Sequence, residues 1–284
     1  MFLKSQKIIL GVFLLVAVFV WRAVFVGSSG LLLVSFLDVG QGDAIFIETP
    51  SGKQVLIDGG YGRQVLSRLG RVMPGYDKSI DLVIATHTDS DHLGGLIEVL
   101  KSYDVRTVVE NGFQDNSVLL AEWNKEVEKN GARREIVKAG DQFILDNGVS
   151  LKILGPFSED IKETPDKSNE VMVVARLVYG ETEFLFTGDI ERGDEIRLAS
   201  SGAELKSDVL KVAHHGSQYS TTRLFLEKVM PVYTVISVGK KNRYGHPHTE
   251  TLSRLASIGS TLFRTDYDGG ITFMSNGRFL SLRR

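Results

Sequence analysis

All six histidines of the chain fall into three short clusters, His87 with His92, His214 with His215, and His246 with His248, each among polar or glycine residues. The first cluster is the densest: His87-Thr-Asp89-Ser-Asp91-His92 puts four metal-ligating side chains into six positions. If this segment leaves a strand in extended form, His87, Asp89 and Asp91 project to one side, and His92 at the following turn can reach an adjacent ion. Asp189 supplies a further carboxylate where an apolar run ends in Phe-Thr-Gly-Asp. By itself it would read as a helix N-cap, but beside the first cluster it reads as a ligand. Residues 210–213 run in the same way into His214-His215-Gly216-Ser217, where either imidazole could serve. The chain has no cysteine, which excludes disulfides and thiolate coordination and leaves imidazoles and carboxylates to hold any metal.

The elements that must position these groups can be read from periodicity. Apolar, β-favouring runs occur at residues 31–37, 44–47, 55–57, 82–85 and 105–109, and again at 171–178, 183–186, 209–213 and 232–238. Helical spacing fills 63–72, 93–103 and 117–130, with Gly131 placed to end the third, and then 190–199, 221–229 and 250–257. Residues 270–274 and 279–282, separated by Ser-Asn-Gly, read as a hairpin. Two β-rich halves with interspersed helices fit an α/β arrangement in which sheets pack together and helices lie outside. No linker interrupts residues 31–284, so one domain is expected there.

Residues 8–26 form an apolar run broken by Arg22, roughly the length that spans a bilayer. Lys4 and Lys7 precede it, which predicts a cytoplasmic N-terminus, a single-pass anchor over residues 1–30 and an extracytoplasmic catalytic domain. Cleavage after Ser28 would instead give a secreted protein. A hydrophobic share of 43% suits a packed core, and a net charge of -2 excludes a global basic field, so any nucleic-acid contact must come from a local patch. No obligate protein partner is evident.

The order His-x-Asp-x-Asp-His, Thr-Gly-Asp, His-His-Gly-Ser closely resembles the metallo-β-lactamase superfamily, in particular the branch formed by the C-terminal domain of ComEC-type competence proteins. The match extends over residues 31–275 and includes Phe36-Leu-Asp38-Val-Gly-Gln-Gly-Asp43-Ala44, Leu56-Ile-Asp58-Gly-Gly60, Asn242-Arg-Tyr-Gly-His246-Pro-His248 and Thr265-Asp-Tyr-Asp-Gly269. The resemblance implies a four-layer αββα sandwich and a binuclear site. It puts His87 and Asp89 on one metal, Asp91 and His92 on the other, Asp189 between them, and His214 or His215 completing the shell. The general superfamily has histidine where this chain has Asp89, and no histidine lies between His92 and His214. These departures match the ComEC-like branch and shift the site towards hard oxygen ligands, which favours manganese or magnesium relative to a histidine-rich zinc site, although zinc binds carboxylates too. Two divalent ions are expected, manganese or zinc, with magnesium also suited. Asn169 is placed near the missing mid-chain ligand, and Asp43 and Asp58 are placed to orient ligands.

Two divalent ions and a shared water make a hydrolase, with Asp91, His246 and Asp43 as catalytic residues. Ser217, Lys240, Lys241, Arg243 and His248 are the expected substrate contacts, because cations, an aromatic and imidazoles near the mouth of a site can hold phosphate oxygens and stack a base. That points to single-stranded DNA or another phosphodiester, with His246 protonating the leaving alkoxide. The alternatives are a thioester or lactam hydrolase on the same fold, or a non-catalytic binding protein.

Overall fold

The computed structural model describes residues 2–25, 30–157 and 171–283. Asn169 and the expected cut after Ser28 fall outside them.

The first sheet starts from antiparallel strands. β1 (Leu32–Phe36) lies between β2 (Ile45–Glu48) and β14 (Ile271–Ser275), so that Val34 faces Ile47 on one side and Phe273 on the other. β3 (Gln54–Ile57) then leads a parallel run through β4 (Ser79–Ile84), β5 (Asp104–Glu110) and β6 (Arg133–Ile136). The crossovers carry helices α2 (Gln64–Val72), α3 (Ser90–Ser102) and α4 (Val118–Asn130). α4 is bounded as its sequence dictates: Ser117 Oγ accepts from Leu120 N at the start, and Gly131, at φ 80°, turns the chain out of the helix. β15 (Leu280–Arg283) pairs with β14 as the expected terminal hairpin.

The second sheet follows the same plan. β7 (Gln142–Asp146), β8 (Val149–Gly155), β9 (Val174–Tyr179) and β10 (Thr182–Phe186) form an antiparallel meander. β10, β11 (Val209–Lys211), β12 (Tyr233–Ile236) and β13 (Thr261–Arg264) then run parallel. Their crossovers carry α5 (Arg192–Ser200), α6 (Arg223–Val229) and α7 (Thr249–Ser257), and the short α8 (Thr265–Asp268) follows β13. One core, containing Phe36, Phe184, Phe186 and Phe273, joins the inner faces of the two sheets. A second packs the first sheet against α2, α3 and α4 around Trp123, and a third packs the other sheet against α5, α6 and α7 around Phe225. This is the expected layered sandwich with helices outside both sheets.

Three differences from the sequence reading stand out. β6, β7, β8 and β13 form strands where none was expected, and the strand expected from residue 171 begins at Val174. β6 and β7 lie at sheet edges; β6 is mostly exposed and shows no apolar run, and β7 has only the short run Phe143-Ile-Leu145, with Ile144 exposed. The third concerns α1 (Phe2–Phe25), whose described side chains, Phe13, Leu15 and Phe19 among them, are exposed. Among the described residues no helix is long and apolar enough to cross a membrane, so the fold does not support the expected transmembrane helix.

Candidate metal centre

The chemistry-bearing residues gather where parallel strands of both sheets end. Asp58 follows β3, His87 follows β4, Asp189 follows β10, and His214 and His215 follow β11. Parallel strands leave their loops at one rim, which is where open α/β sheets place sites. The local backbone is tailored to this convergence. Gly95 of α3 rests on Gly59, and a Cβ on either would strike the backbone of the other, so only glycine lets the helix start this close to β3. Asp58, His214 and His215 have φ of 57°, 48° and 51°, left-handed conformations that cost roughly 1 kcal/mol or more each in non-glycine residues. Three such residues around one centre show a backbone bent to aim side chains.

Hydrogen bonds set the imidazole tautomers. His92 Nδ1 donates to Asp58 Oδ2 at 2.8 Å, and His215 Nδ1 donates to the Ser237 carbonyl at 2.8 Å. The Thr86 hydroxyl spends its proton on Asp58 Oδ2 at 2.7 Å, so at 3.0 Å it must accept from His87 Nδ1. All three rings therefore turn Nε2 inward. None of these buried Nε2 atoms has a hydrogen-bond partner, yet Asp189 Oδ2 lies 3.3 Å from those of His92 and His215. Buried polar atoms without partners are rare, and several converging on a carboxylate are the donor set a divalent cation satisfies. Ligand atoms of His87, His92 and Asp189 lie within 4.8 Å of one another, as do those of Asp91, His92 and His215. Asp89, at the N-cap position of α3, sets Oδ2 3.8 Å from His87 Nε2, and Asp91 sets Oδ2 3.4 Å from His215 Nε2. The residues present thus fit divalent-cation binding around Asp189.

The charges support this. Burial disfavours a charged Asp189, but His215, His92 and Lys211 outweigh it and hold the carboxyl well below its ordinary range. Burial likewise opposes charge on His215, yet Asp189 and its neighbours push its pKa up to about 9, and Asp189 and Asp58 raise His92 well above its ordinary value. Burial and the adjacent His92 lower His87 to about 4. Asp91 is lowered against its own burial by His215 and His92. Anions that attract protons this strongly into a buried pocket attract divalent cations for the same reason.

Sequence reasoning missed Lys211. It is wholly buried at the end of β11, with Nζ donating to the Gly188 carbonyl at 2.8 Å, touching Asp43 Oδ2, and 3.3 Å from Asp189 Oδ1. The available signal was a single charge in the otherwise apolar stretch 209–213. Asp43 also sits 3.6 Å from His215 Nδ1 and 3.9 Å from His92 Nδ1, behind the imidazoles rather than at the open face. Asn111 was missed as well; its amide braces the Thr86 and Val171 carbonyls.

The remaining candidates divide by position. His215 belongs to the buried cluster, whereas His214 is a quarter exposed, with Nε2 3.9 Å from Asp189 and Nδ1 3.4 Å from Glu191. Ser217 is buried, and its hydroxyl accepts from Tyr219 N within its own loop, so it faces inward rather than towards the opening. His246 stacks on Tyr244, its ring centre 5.6 Å from that of His214. Burial and the nearby His215 lower it to about 4, so at neutral pH it is an uncharged proton acceptor rather than the acid expected. His248 occupies the N-cap position of α7, 5.0 Å ring to ring from His246. Lys240, Lys241 and Arg243 are exposed. Lys241, Arg243 and Tyr244 line an open cleft with Gln41, Tyr61 and Asp91, while Lys240 lies outside it. Asn242 braces this loop, with Oδ1 accepting from Tyr244 N and His246 N and Nδ2 donating to the His246 carbonyl at 2.7 Å.

Residues 37–240 match the family profile of the metallo-beta-lactamase superfamily. Over 267 residues the chain is 32% identical to ComE operon protein 3 of Bacillus subtilis, a match covering 86% of this chain and 33% of that protein. It is 30% identical over 245 residues to the competence protein ComA of Neisseria gonorrhoeae, covering 84% of this chain and 32% of the other. The chain thus spans about a third of the length of these relatives. Among solved structures, CmlA, a diiron beta-hydroxylase from Streptomyces venezuelae, matches with a TM-score of 0.54 at 13% identity, over 85% of this chain and 53% of that one. The metallo-beta-lactamase fold protein YhfI from Bacillus subtilis matches with a TM-score of 0.52 at 12% identity, over 82% and 95%. At such identities these two show likeness of fold.

Proposed function

This chain belongs to the metallo-beta-lactamase superfamily, a family of metal-dependent hydrolases, is related to competence proteins, and on that premise we propose that it is a phosphodiesterase acting on single-stranded DNA with two divalent metal ions. The carrying observation is the convergence of three inward-facing Nε2 atoms on Asp189, next to a cleft whose wall bears Lys241 and Arg243. In this reading His87, Asp89 and Asp189 hold one ion, and Asp91, His92, His215 and Asp189 hold the other. The carboxylates of this set suit manganese, with magnesium also accommodated, and its imidazoles suit zinc.

Bound there, the ions would acidify a water molecule and neutralise charge on the phosphate. The chain's own residues do the rest. Asp58 and the Ser237 carbonyl fix the rings of His92 and His215, so the lone pairs hold their aim. Lys211 pins Asp189 Oδ1 and Asp43, leaving Asp189 Oδ2 facing the imidazoles. Neutral His246 at the margin can accept a proton as water adds to phosphorus. Lys241 and Arg243 hold non-bridging oxygens, and Tyr61, exposed in the same cleft, offers a face to a base. The products are a phosphomonoester and a free hydroxyl.

The test is to incubate the purified 284-residue chain with manganese and single-stranded DNA beside Asp91→Ala and His92→Ala. Metal-dependent cleavage by the wild type, lost in both variants, is the expected result. No cleavage by the wild type would overturn the nuclease reading, and turnover of a thioester or lactam instead would reassign the substrate. The same proposal places residues 8–26 as a membrane tether with the catalytic domain outside the cytoplasm, on the strength of the apolar run behind Lys4 and Lys7. Recovery of the chain in the soluble cytosolic fraction would remove the tether.

A further inference from the structure

The cleft beside Lys241 and Arg243 serves only one flank of the metal centre. A second open cleft borders the other flank, walled by Glu191, Arg192, Tyr219, Arg223 and Arg254. Each has one wall residue that reaches the histidine cluster. Asp91 lines the first cleft and approaches His215 at 3.4 Å, whereas Glu191 lines the second and approaches His214 at 3.4 Å. Asp189 lies between, 3.3 Å from His215 and 3.9 Å from His214.

The second cleft repeats the chemistry of the first. Tyr61 and Tyr244 are exposed at one, with Lys241 and Arg243; Tyr219 is exposed at the other, with Arg192 and Arg223. Its floor is rigid. The Arg254 guanidinium donates to the Thr221 carbonyl at 2.9 Å and the Ser220 carbonyl at 2.9 Å, and Glu195 accepts from Thr222 N at 2.7 Å. The Tyr219 carbonyl in turn accepts from Arg192 N at 3.1 Å. A braced loop that still leaves a tyrosine 64% exposed beside arginines presents a stacking face and phosphate partners rather than core packing. Glu191, the acid in this wall, is occupied by His214, and Arg223 holds Glu227 at 2.9 Å in an exposed pair that a phosphate can displace.

We infer that a single nucleic-acid strand lies across the centre in both clefts at once, so that the bond presented to the metals is internal to the strand and cleavage is endonucleolytic. This rests on the phosphodiesterase reading above. Water adds to phosphorus, one ester P–O bond breaks, and two strand segments leave, one ending in phosphate and one in hydroxyl.

Three substrates with manganese and the full chain separate the outcomes: bis(p-nitrophenyl) phosphate, a linear oligonucleotide and a closed single-stranded DNA circle. The expected result is that the circle is opened. Hydrolysis of the small diester and of the linear strand with the circle left intact overturns the inference and keeps the phosphodiesterase reading; no hydrolysis of any of the three overturns both. In Arg192→Glu/Arg223→Glu, and separately in Tyr219→Ala, KM for the oligonucleotide should rise about tenfold with kcat within about twofold. The double charge reversal should also flatten the salt dependence by about one unit of slope per lost phosphate contact. An unchanged KM and salt slope overturns the inference, as does an equal loss on bis(p-nitrophenyl) phosphate, which would make the cleft part of the centre.

Discussion

The buried cluster and the rim loop over residues 240–248 are built on opposite principles. In the cluster the groups behind the imidazoles are tied several times over: Asp58 alone takes the Thr86 amide, the Thr86 hydroxyl and the His92 ring, and Lys211 spans Gly188, Asp43 and Asp189. The rim is braced mainly by its own Asn242, while Lys240, Lys241 and Arg243 extend into solvent. Low dielectric makes each buried charge expensive unless matched, so the cluster tolerates little change, whereas charges in water act weakly and can be exchanged. The division implies that the reaction is set by the buried groups and substrate choice by the exposed ones.

The sharpest break of that contrast is Asp189→Ala. Asp189 contacts three of the histidines and Lys211, so its loss should reduce activity by roughly a hundredfold to a thousandfold, and manganese affinity measured by calorimetry should fall with it. Unchanged binding of two ions would show that Asp189 is not shared between them. Lys211→Met comes next, and its readout is stability. Removing a wholly buried ammonium leaves Asp43 and Asp189 unmatched, at a cost of about 3–5 kcal/mol, which should lower the thermal midpoint by roughly 10 °C. Manganese should restore part of the loss, since a cation supplies the missing charge. A melting curve like that of the wild type would mean the lysine is not needed to balance the site.

The same contrast explains what the sequence made legible. Strands buried on both faces read as apolar runs, Val55-Leu-Ile57 in β3 and Val209-Leu210 before the single charge of β11, and the residues after them stand out as ligands because histidine and aspartate are costly to place there otherwise. β6, with only Ile136 and two arginines flanking Glu135, carries no such run because its outer edge faces solvent. β8 alternates in burial along its length, yet Lys152 and a glycine end obscure the pattern. Lys211 was hidden because its partners come from distant segments, Asp43 before β2 and Asp189 after β10; only the packing of one sheet on the other makes the charge a structural element. The choice between His214 and His215 was equally closed to sequence, since both sit in left-handed conformations and the turn alone decides which ring enters the core.

The mildest prediction concerns the rim itself. Lys241→Ala and Arg243→Ala remove exposed charges from one wall of the first cleft, touching none of the buried cluster. Each should raise KM for single-stranded DNA several-fold and lower the slope of its logarithm against that of salt concentration by about one, the signature of a single phosphate contact. Neither should alter kcat by more than about twofold, because Asn242, not the charged residues, holds His246 in place. Lys240→Ala, whose residue lies outside the cleft, should change neither quantity. A fall in kcat in Arg243→Ala would instead show that the cation over Tyr244 positions the stacked His246, and the boundary between reaction and recognition would then run through the loop rather than beneath it.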